Sequence, residues 1–189
     1  PKTGRLIRDG VPSIINPDDK NALEEALRIK DENPDTTVTV VSMGPPQADV
    51  AMREALAMGA DEAILISGRE FGGSDTWATS YIIATAIKKI PDYDIIFCGR
   101  QAIDGDTAQV GPQIAEQLNI PQITYVQKLD IEGDKVIVQR QLEDGYTVVE
   151  AKMPVLLTAI KELNTPRYMT PKGIFEAYNK TVQVWGFND

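Results

Sequence analysis

The sequence contains no histidine and a single cysteine, Cys98, among its 189 residues. Without histidine, the chain cannot build a Ser-His-Asp or Cys-His catalytic arrangement. A zinc or iron–sulfur site made from His and Cys side chains is excluded for the same reason. One cysteine cannot form a disulfide within the chain, which fits a reducing compartment. Because a free cysteine usually packs as a small hydrophobic residue, Cys98 is interpreted as a buried strand residue rather than a reactive thiol.

Long apolar runs and an excess of positive charge are also missing. No stretch approaches the about 18 consecutive apolar residues that a membrane span needs, and no signal-peptide pattern opens the sequence. Lys and Arg number 19 against 28 Asp and Glu, which gives a formal net charge of −9. A dense cationic face for nucleic acid or for an anionic membrane surface is therefore not expected. These features predict a soluble cytoplasmic protein that neither binds nucleic acid nor inserts into a membrane.

Helical and strand patterns alternate over the first two thirds of the chain. Asn16-Pro17-Asp18-Asp19 indicates an N-cap, a proline at the first helical position and acidic residues in the first turn. This first helix is expected to end by Asn33-Pro34. Three further helices are predicted at Gln47–Met58, Thr76–Ile90 and Asp106–Leu118. Strands are predicted at Thr37–Ser42, Ala63–Ile66 and Asp94–Cys98.

The pattern changes after Pro121. Three β-rich segments separated by Gly-containing turns predict an antiparallel meander, at Lys128–Ile131, Lys135–Gln141 and Thr147–Ala151. Val155–Ala159 is expected to return as a strand, and Leu163–Gly173 is interpreted as a proline-bearing connection followed by a weakly patterned tail. The sequence therefore predicts one α/β domain over residues 1–189. Its sheet is expected to be mainly parallel and doubly wound, in a three-layer nucleotide-binding architecture with an antiparallel extension near 128–151.

The most informative stretch runs from Gly99 to Pro112 (GRQAIDGDTAQVGP) and follows the third predicted strand. In parallel α/β sheets, ligands bind beyond the carboxyl ends of the strands. Gly99 and Gly105 permit tight turning and a close approach of the backbone to a ligand. A helix that starts at Asp106, with Gln109 completing a capping box, presents unpaired N–H groups and a positive dipole end to an anion. We expect that anion to be a nucleotide phosphate, with Arg100 as a further positive group.

Other interpretations of these segments stay open on local pattern alone. Asp104 and Asp106 are equally consistent with a simple turn and helix cap. Paired carboxylates also serve elsewhere as general acid and base or as magnesium ligands, although no partner group is visible here. The loop matches neither the P-loop nor the G-x-G-x-x-G pattern. Asn16–Asp19 and Ser74-Asp75-Thr76 are helix starts first and ligand contacts second.

Five motifs occur along the chain in a fixed order: Asn16-Pro17, Ser42–Pro45 (SMGP), Ala55–Asp61 (ALAMGAD), Gly99–Pro112 and Leu163–Tyr168 (LNTPRY). With these motifs the chain resembles the beta subunit of electron transfer flavoproteins over essentially its whole length. The resemblance implies an α/β fold, a heterodimer with an alpha subunit, and electron transfer rather than hydrolysis. It also implies a nucleotide in the crevice, which is AMP in ordinary members and a second FAD in electron-bifurcating members.

The resemblance also implies a set of cofactor-binding residues, but no catalytic residue and no metal ligand. They lie at the start of the first helix, at the end of the first strand, at the start of the third helix and along the glycine-containing loop. The set is Asn16, Pro17, Asp18, Asp19, Met43, Thr76, Thr79, Cys98, Gly99, Arg100, Gln101, Asp104, Gly105, Asp106, Thr107, Ala108, Gln109, Val110 and Gly111.

The identity of the nucleotide depends on the middle of the loop. Ordinary members typically read D-D-D-x-x-Q-T-G, whereas this chain reads DGDTAQVG from Asp104 to Gly111. Gly105 in place of an aspartate removes bulk and charge near the phosphates, which suits the diphosphate of FAD. The stretch Gly73–Thr79 also resembles the bifurcating members, in which Thr76 and Thr79 would lie near the flavin. The expectation is therefore FAD, with AMP as the alternative.

The bifurcating members imply a specific route for electrons. The flavin takes two electrons from NADH, one of which passes to the FAD of the alpha subunit and on to a dehydrogenase, while the other passes to ferredoxin or flavodoxin. The alternative is an ordinary subunit that holds structural AMP and only shapes the alpha-subunit FAD site. A nucleotide-dependent ligase or phosphatase-like enzyme would need an activating motif or a carboxylate cluster, and neither is found. A structural scaffold would leave the crevice empty.

The chain departs from the family pattern at its ends and at its docking loop. The family normally begins with a strand that contributes to the pocket, and we expect this chain to start after that strand and to lack the C-terminal arm. The partner-docking loop, predicted at 163–180, usually carries T-L-P-N followed by basic residues. Here Thr170–Gly173 (TPKG) lacks the leucine and Glu176–Asn179 (EAYN) lacks the lysine run. These departures point away from the usual acyl-CoA dehydrogenase contact and toward a different partner, such as a lactate dehydrogenase.

Overall fold

The computed structural model describes residues 13–189, so the first twelve residues of the predicted domain lie outside the described residues. The helices are α1 Pro17–Glu32, α2 Asp49–Met58, α3 Thr76–Ile87, α4 Val110–Leu118 and α5 Pro171–Asn179. The strands are β1 Thr39–Met43, β2 Glu62–Ile66, β3 Ile95–Gly99, β4 Gln122–Glu132, β5 Lys135–Leu142, β6 Gly145–Lys152, β7 Val155–Ala159 and β8 Val182–Trp185. None of the helices in this range combines the length and the apolar character needed to cross a bilayer.

The strands form two sheets. The smaller sheet is entirely parallel and has the order β1-β2-β8. The larger sheet has the order β3-β7-β4-β5-β6, in which β3 and β4 run parallel to β7 while β5 and β6 continue as an antiparallel meander. The predicted α/β class, with mainly parallel strands and an antiparallel extension, is confirmed. The described strands nevertheless make two hydrogen-bonded sheets where a single sheet was expected.

Helices cover the sheets on both faces. On one face, α1, α2 and α5 share a core with the smaller sheet, centred on Leu27, Leu56 and Leu65. Elsewhere, α3 and α4 share a core with the larger sheet around Ile114 and Leu156. The residues of β7 are all buried, as expected for a central strand with both faces covered. Each large apolar side chain buried in this way contributes about 1.5–3 kcal/mol of transfer free energy.

Several predicted boundaries shift by a few residues. The strand predicted at Thr37–Ser42 lies at Thr39–Met43, whereas Val155–Ala159 is confirmed. The third helix ends at Ile87 rather than Ile90, because the backbone changes from α-helical to 3₁₀-type hydrogen bonding before Pro91. The N–H groups of Lys89 and Ile90 bond to carbonyls only three residues earlier, as expected where a proline disfavours the α conformation of the preceding residue.

The interpretation of the C-terminal region as a weakly patterned tail is wrong. Residues 171–179 form α5, whose start is set by Thr170: the Thr170 hydroxyl oxygen accepts the N–H of Gly173 at 3.0 Å, and Pro171 occupies the first turn. Val182–Trp185 then pairs in parallel with β2 as β8. This strand has only four residues, too few for its alternation to be recognised in the sequence.

Candidate functional site

The first turn of α1 lies directly against the end of β3. A Cβ on Gly99 would lie 2.6 Å from the backbone nitrogen of Asp19 and 2.8 Å from the carbonyl carbon of Asp18. The N–H of Gly99 donates to Oδ1 of Asp19 at 2.6 Å. Only a glycine permits this approach, so the N-terminus of α1 faces the backbone of β3 rather than an open crevice.

The two carboxylates of this turn differ in their surroundings. Burial raises the pKa of Asp19 above its ordinary value, although the hydrogen bond from Gly99 opposes the shift by stabilising the charged form. Oδ2 of Asp18 lies 3.4 Å from Nε of Arg100. This contact lacks hydrogen-bond geometry, and the buried Nε has no hydrogen-bond partner within residues 13–189. Arg100 therefore retains a donor for a further acceptor.

Asn16 occupies the predicted N-cap position of α1, but its side chain makes no capping hydrogen bond. Its Nδ2 donates to the carbonyl of Gln101 at 2.9 Å, and its Oδ1 accepts the N–H of Ile103 at 3.0 Å. A short amide suits this position because it carries a donor and an acceptor on one planar group. The side chain of Asn16 therefore fastens the loop that follows β3 onto α1, an arrangement that we call the Asn16 clamp.

Loss of the Asn16 clamp is expected to destabilise the protein. Asn16→Asp keeps the acceptor for Ile103 but turns a carboxylate oxygen toward the carbonyl of Gln101, so the free energy of unfolding should fall by about 2 kcal/mol. Asn16→Ala loses both hydrogen bonds and should cost about 2 kcal/mol. Urea denaturation measures both changes. Asn33→Ala is the matched control, since the exposed Asn33 amide only contacts its own helix at Ile29; equal losses for Asn16→Ala and Asn33→Ala would refute the clamp.

The prediction that the fourth helix starts at Asp106 is wrong. α4 begins at Val110, because Asp106 and Ala108 both adopt the left-handed conformation, with φ of 52° each, which a right-handed helix cannot contain. Asp106 instead closes a turn, since its N–H donates to the carbonyl of Ala102 at 2.9 Å and its carboxylate accepts from the Gln101 side chain. The helix end that can face an anion therefore lies at Gln109–Gly111 rather than at Asp106.

The starts of α3 and α4 are joined by side chains. Asp75 caps α3 as predicted, accepting the N–H of Ala78 at 2.8 Å. The Thr76 hydroxyl donates to Oε1 of Gln109 at 3.3 Å and accepts from Nε2 of Gln113 at 3.5 Å. Oε1 of Gln113 is buried and has no hydrogen-bond partner in the described part of the chain. Gln113 was missed in the sequence, although its position one turn after Gln109 on the same helix face was a usable signal.

The remaining predicted residues lie at different depths. Burial raises the pKa of the Cys98 thiol, and its Sγ would lie 2.8 Å from a Cβ on Gly111, so Cys98 packs under α4. Met43 and Thr79 are half-buried, at the end of β1 and on the first turns of α3. Among residues 13–189, no group of three or more His, Cys, Asp or Glu side chains is placed to hold a metal ion. The exposed members of the set are Pro17, Asp104, Gly105, Asp106, Thr107 and Gln109, and Val110 is half-buried in the first turn of α4.

The electron transfer flavoprotein domain model matches residues 3–189. The chain belongs to the electron transfer flavoprotein family. It is 71% identical over 180 residues to the electron transfer flavoprotein subunit beta of Thermoanaerobacterium thermosaccharolyticum, covering 95% of this chain and 68% of that protein. It is 61% identical over 189 residues to the caffeyl-CoA reductase-Etf complex subunit CarD of Acetobacterium woodii, covering 100% of this chain and 72% of that protein.

A third relative is the acryloyl-CoA reductase electron transfer subunit gamma of Anaerotignum propionicum, which is 56% identical over 184 residues, covering 96% of this chain and 68% of that protein. The resemblance to electron transfer flavoprotein beta subunits is thus confirmed. Within this electron transfer flavoprotein chain, the loop after β3 and the starts of α1, α3 and α4 come together, while Met43 ends a strand of the other sheet.

Proposed function

We propose that this electron transfer flavoprotein chain binds FAD along the loop from Gly99 to Gly111 and takes part in flavin-based electron bifurcation from NADH. The main support is a pair of buried polar atoms without partners that flank this loop. Nε of Arg100 lies at its start, and Oε1 of Gln113 lies just beyond its end. Buried polar atoms are usually satisfied by hydrogen bonds, so an unpartnered pair on either side of one loop is consistent with a polar ligand.

The residues of the loop fit a phosphate-bearing ligand. The first N–H groups of α4, at Val110 and Gly111, have no carbonyl within their own helix to bond, and the helix dipole adds partial positive charge there. Thr76 and Gln109 place a hydroxyl and an amide beside this helix end. Arg100 supplies a guanidinium at the opposite end of the loop. These groups would hold the phosphates, while Gly105 leaves open space around its Cα, with no heavy atom within 4 Å of a Cβ there.

A bound flavin supplies the redox chemistry by accepting two electrons from NADH and releasing them singly. The chain's own contribution is to fix the loop and to orient the ligand. The Asn16 clamp and the Asp19–Gly99 hydrogen bond hold the loop backbone from the α1 side. Thr76 and Gln113 tie its other end to α3. The ligand would therefore meet a preformed surface, which lowers the entropic cost of binding.

We further propose an alpha subunit with its own FAD as the obligate partner, an acyl-CoA dehydrogenase or a lactate dehydrogenase as one electron acceptor, and ferredoxin or flavodoxin as the other. The relatives named as subunits of caffeyl-CoA and acryloyl-CoA reductase complexes support an assembly with a reductase. Residues 163–180 are proposed to dock that partner. This segment includes the exposed aromatic side chains of Tyr168, Phe175 and Tyr178.

The deciding experiment is to purify the full-length subunit with its alpha partner, denature the complex, and identify the released nucleotides by chromatography and mass. Two FAD per heterodimer is the expected result. One FAD and one AMP would instead establish a structural nucleotide and remove the redox role proposed here. Gly105→Asp, which restores the aspartate of ordinary members, is expected to lower the FAD content relative to AMP, whereas Gly105→Ala should leave it unchanged.

A further inference from the structure

A buried carboxylate on α1 anchors the segment that precedes α5. Glu24 is only 5% exposed. Arg167 donates to Glu24 three times: from its backbone N–H and its Nε to Oε2, both at 2.9 Å, and from its Nη2 to Oε1 at 3.0 Å. A bidentate guanidinium–carboxylate pair of this kind fixes both distance and angle. The backbone at Arg167 is therefore held in one orientation relative to α1.

Neighbouring side chains extend this anchor along α1. Asn164 donates from Nδ2 to Oε2 of Glu25 at 2.8 Å and to the carbonyl of Asn21 at 3.0 Å. Asn21 returns a hydrogen bond from Nδ2 to the carbonyl of Asn164 at 2.8 Å. Arg167 also donates from Nη2 to Oδ2 of Asp31 at 2.7 Å, which lowers the pKa of that carboxyl. Both carboxylate oxygens of Glu24 and the side-chain amides of Asn21 and Asn164 therefore have partners within the anchor.

The residues that follow the anchor are exposed and aromatic. Tyr168 is 94% exposed, although its neighbour Arg167 is the most heavily hydrogen-bonded residue of the segment. Phe175 and Tyr178, three residues apart on α5, are 76% and 72% exposed. We call Tyr168, Phe175 and Tyr178 the aromatic patch. Isolated exposed apolar residues are ordinary, but aromatic side chains grouped on one helix face, as Phe175 and Tyr178 are on α5, are typical of an interaction site.

The far end of the segment is equally constrained. Nη1 of Arg53 on α2 donates to the carbonyls of Ala177 at 2.9 Å and Lys180 at 3.0 Å, and its guanidinium lies 5.5 Å from the centre of the Tyr178 ring. Lys180 donates to the carbonyl of Ala60 at 2.6 Å. The aromatic patch is therefore presented between two fixed points, at Arg167 and at Lys180.

The segment that carries the aromatic patch has no net charge. The chain carries a net charge of −9. Between Tyr168 and Tyr178 the charged residues are Lys172 and Glu176, which lie one turn apart with Nζ and Oε1 at 3.6 Å, so the segment is neutral. A neutral aromatic surface suits an apolar groove better than a charged one.

We propose that Glu24 and Arg167 are positioning residues that hold the aromatic patch in the orientation in which it enters an apolar groove of the electron-accepting partner. This inference rests on the docking role proposed for residues 163–180. A patch fixed in advance loses less conformational entropy on binding, and aromatic side chains dominate the energetics of such contacts. Loss of the anchor then weakens partner binding without altering electron transfer inside the bound complex.

The test uses the full-length heterodimer and, as the partner, the purified reductase of the Acetobacterium woodii caffeyl-CoA reductase-Etf complex. Arg167→Lys keeps the positive charge but cannot make the bidentate contact, and Glu24→Gln keeps the shape but removes the charge. We expect each variant to raise the KM for the reductase about tenfold, the change typical of a lost interface contact, with kcat and nucleotide content unchanged. Lys20→Arg, on the same helix and in an ion pair with Glu54 outside the anchor, is the matched control and should leave KM unchanged.

A variant of the aromatic patch itself separates the positioning role of the anchor from the docking role of the patch. Tyr168→Ala should raise the KM for the reductase whether or not the anchor matters. A normal KM in Arg167→Lys and Glu24→Gln, together with a raised KM in Tyr168→Ala, would overturn the positioning role and leave the docking role intact. A normal KM in all three variants would overturn the docking role itself. A raised KM that returns to normal at high salt would overturn the apolar character of the contact, since charge interactions are screened by salt.

Discussion

Gly99→Ala is expected to be among the most damaging single substitutions in this electron transfer flavoprotein chain. The added Cβ would lie 2.6 Å from the nitrogen of Asp19 and 2.8 Å from the carbonyl carbon of Asp18. Both are backbone atoms, so no change of rotamer can relieve the contact, and either α1 or the end of β3 must move. Overpacking of this kind costs about 3 kcal/mol, at the upper end of its usual range. The movement would also break the 2.6 Å hydrogen bond between Gly99 and Asp19.

Two measurements check this expectation. Urea denaturation should show the lower free energy of unfolding, and under the function proposed above the heterodimer purified with Gly99→Ala should contain less nucleotide on this subunit. Gly105→Ala is the matched control in the same loop, because a Cβ at Gly105 meets no heavy atom within 4 Å. If Gly99→Ala proved as stable as Gly105→Ala, the tight contact between α1 and β3 described here would be incorrect.

Two opposite effects determine how Gly173→Ala changes the stability of the protein. Gly173 lies in the first turns of α5, where helix propensity alone predicts that alanine stabilises by about 1 kcal/mol. The added Cβ would, however, lie 2.3 Å from the carbonyl oxygen of Ala57 on α2. A contact this short with a backbone atom outweighs propensity, so we expect a net loss of about 2 kcal/mol. The sign of the change in stability therefore shows which of the two effects is larger.

Thermal unfolding of the wild-type and variant chains measures that sign. The variant should melt at a lower temperature, and α5 should become more accessible to proteases because it is displaced from α2. Gly145→Ala serves as the control, since a Cβ there meets nothing within 4 Å. A higher melting temperature for Gly173→Ala would mean that α5 does not pack as closely on α2 as the backbone geometry indicates.

Much of the fold was predictable because its signals are local. The Asn16-Pro17 start of α1, the Asp75 cap of α3 and the apolar run Val155–Ala159 are each specified by neighbouring residues, and the structure confirms all three. The antiparallel meander was also predictable, because Gly-containing turns separate its strands. Local composition did not predict the division of the strands into two sheets, which depends on pairing between distant segments.

The details of the candidate site were harder to predict for a related reason. Asp106 has the right residue type and spacing for a helix cap, but its left-handed backbone and that of Ala108 are set by the loop as a whole. Asn16 was recognised as a cap, yet its side chain is used 85 residues away at Gln101. The Glu24–Arg167 contact joins residues 143 positions apart and leaves no periodic signal in either segment.

The attachments of α1 have a consequence for how the molecule opens locally. Its N-cap residue Asn16 and first-turn Asp19 hold the loop after β3, while Glu24, farther along the helix, holds Arg167. Segments linked in this way are expected to exchange their amide hydrogens as one cooperative unit. Loop, helix and C-terminal anchor should then share a single opening free energy, which native-state hydrogen exchange measures. The loop after β3 and the aromatic patch, although distant in sequence, would thus belong to the same unfolding unit.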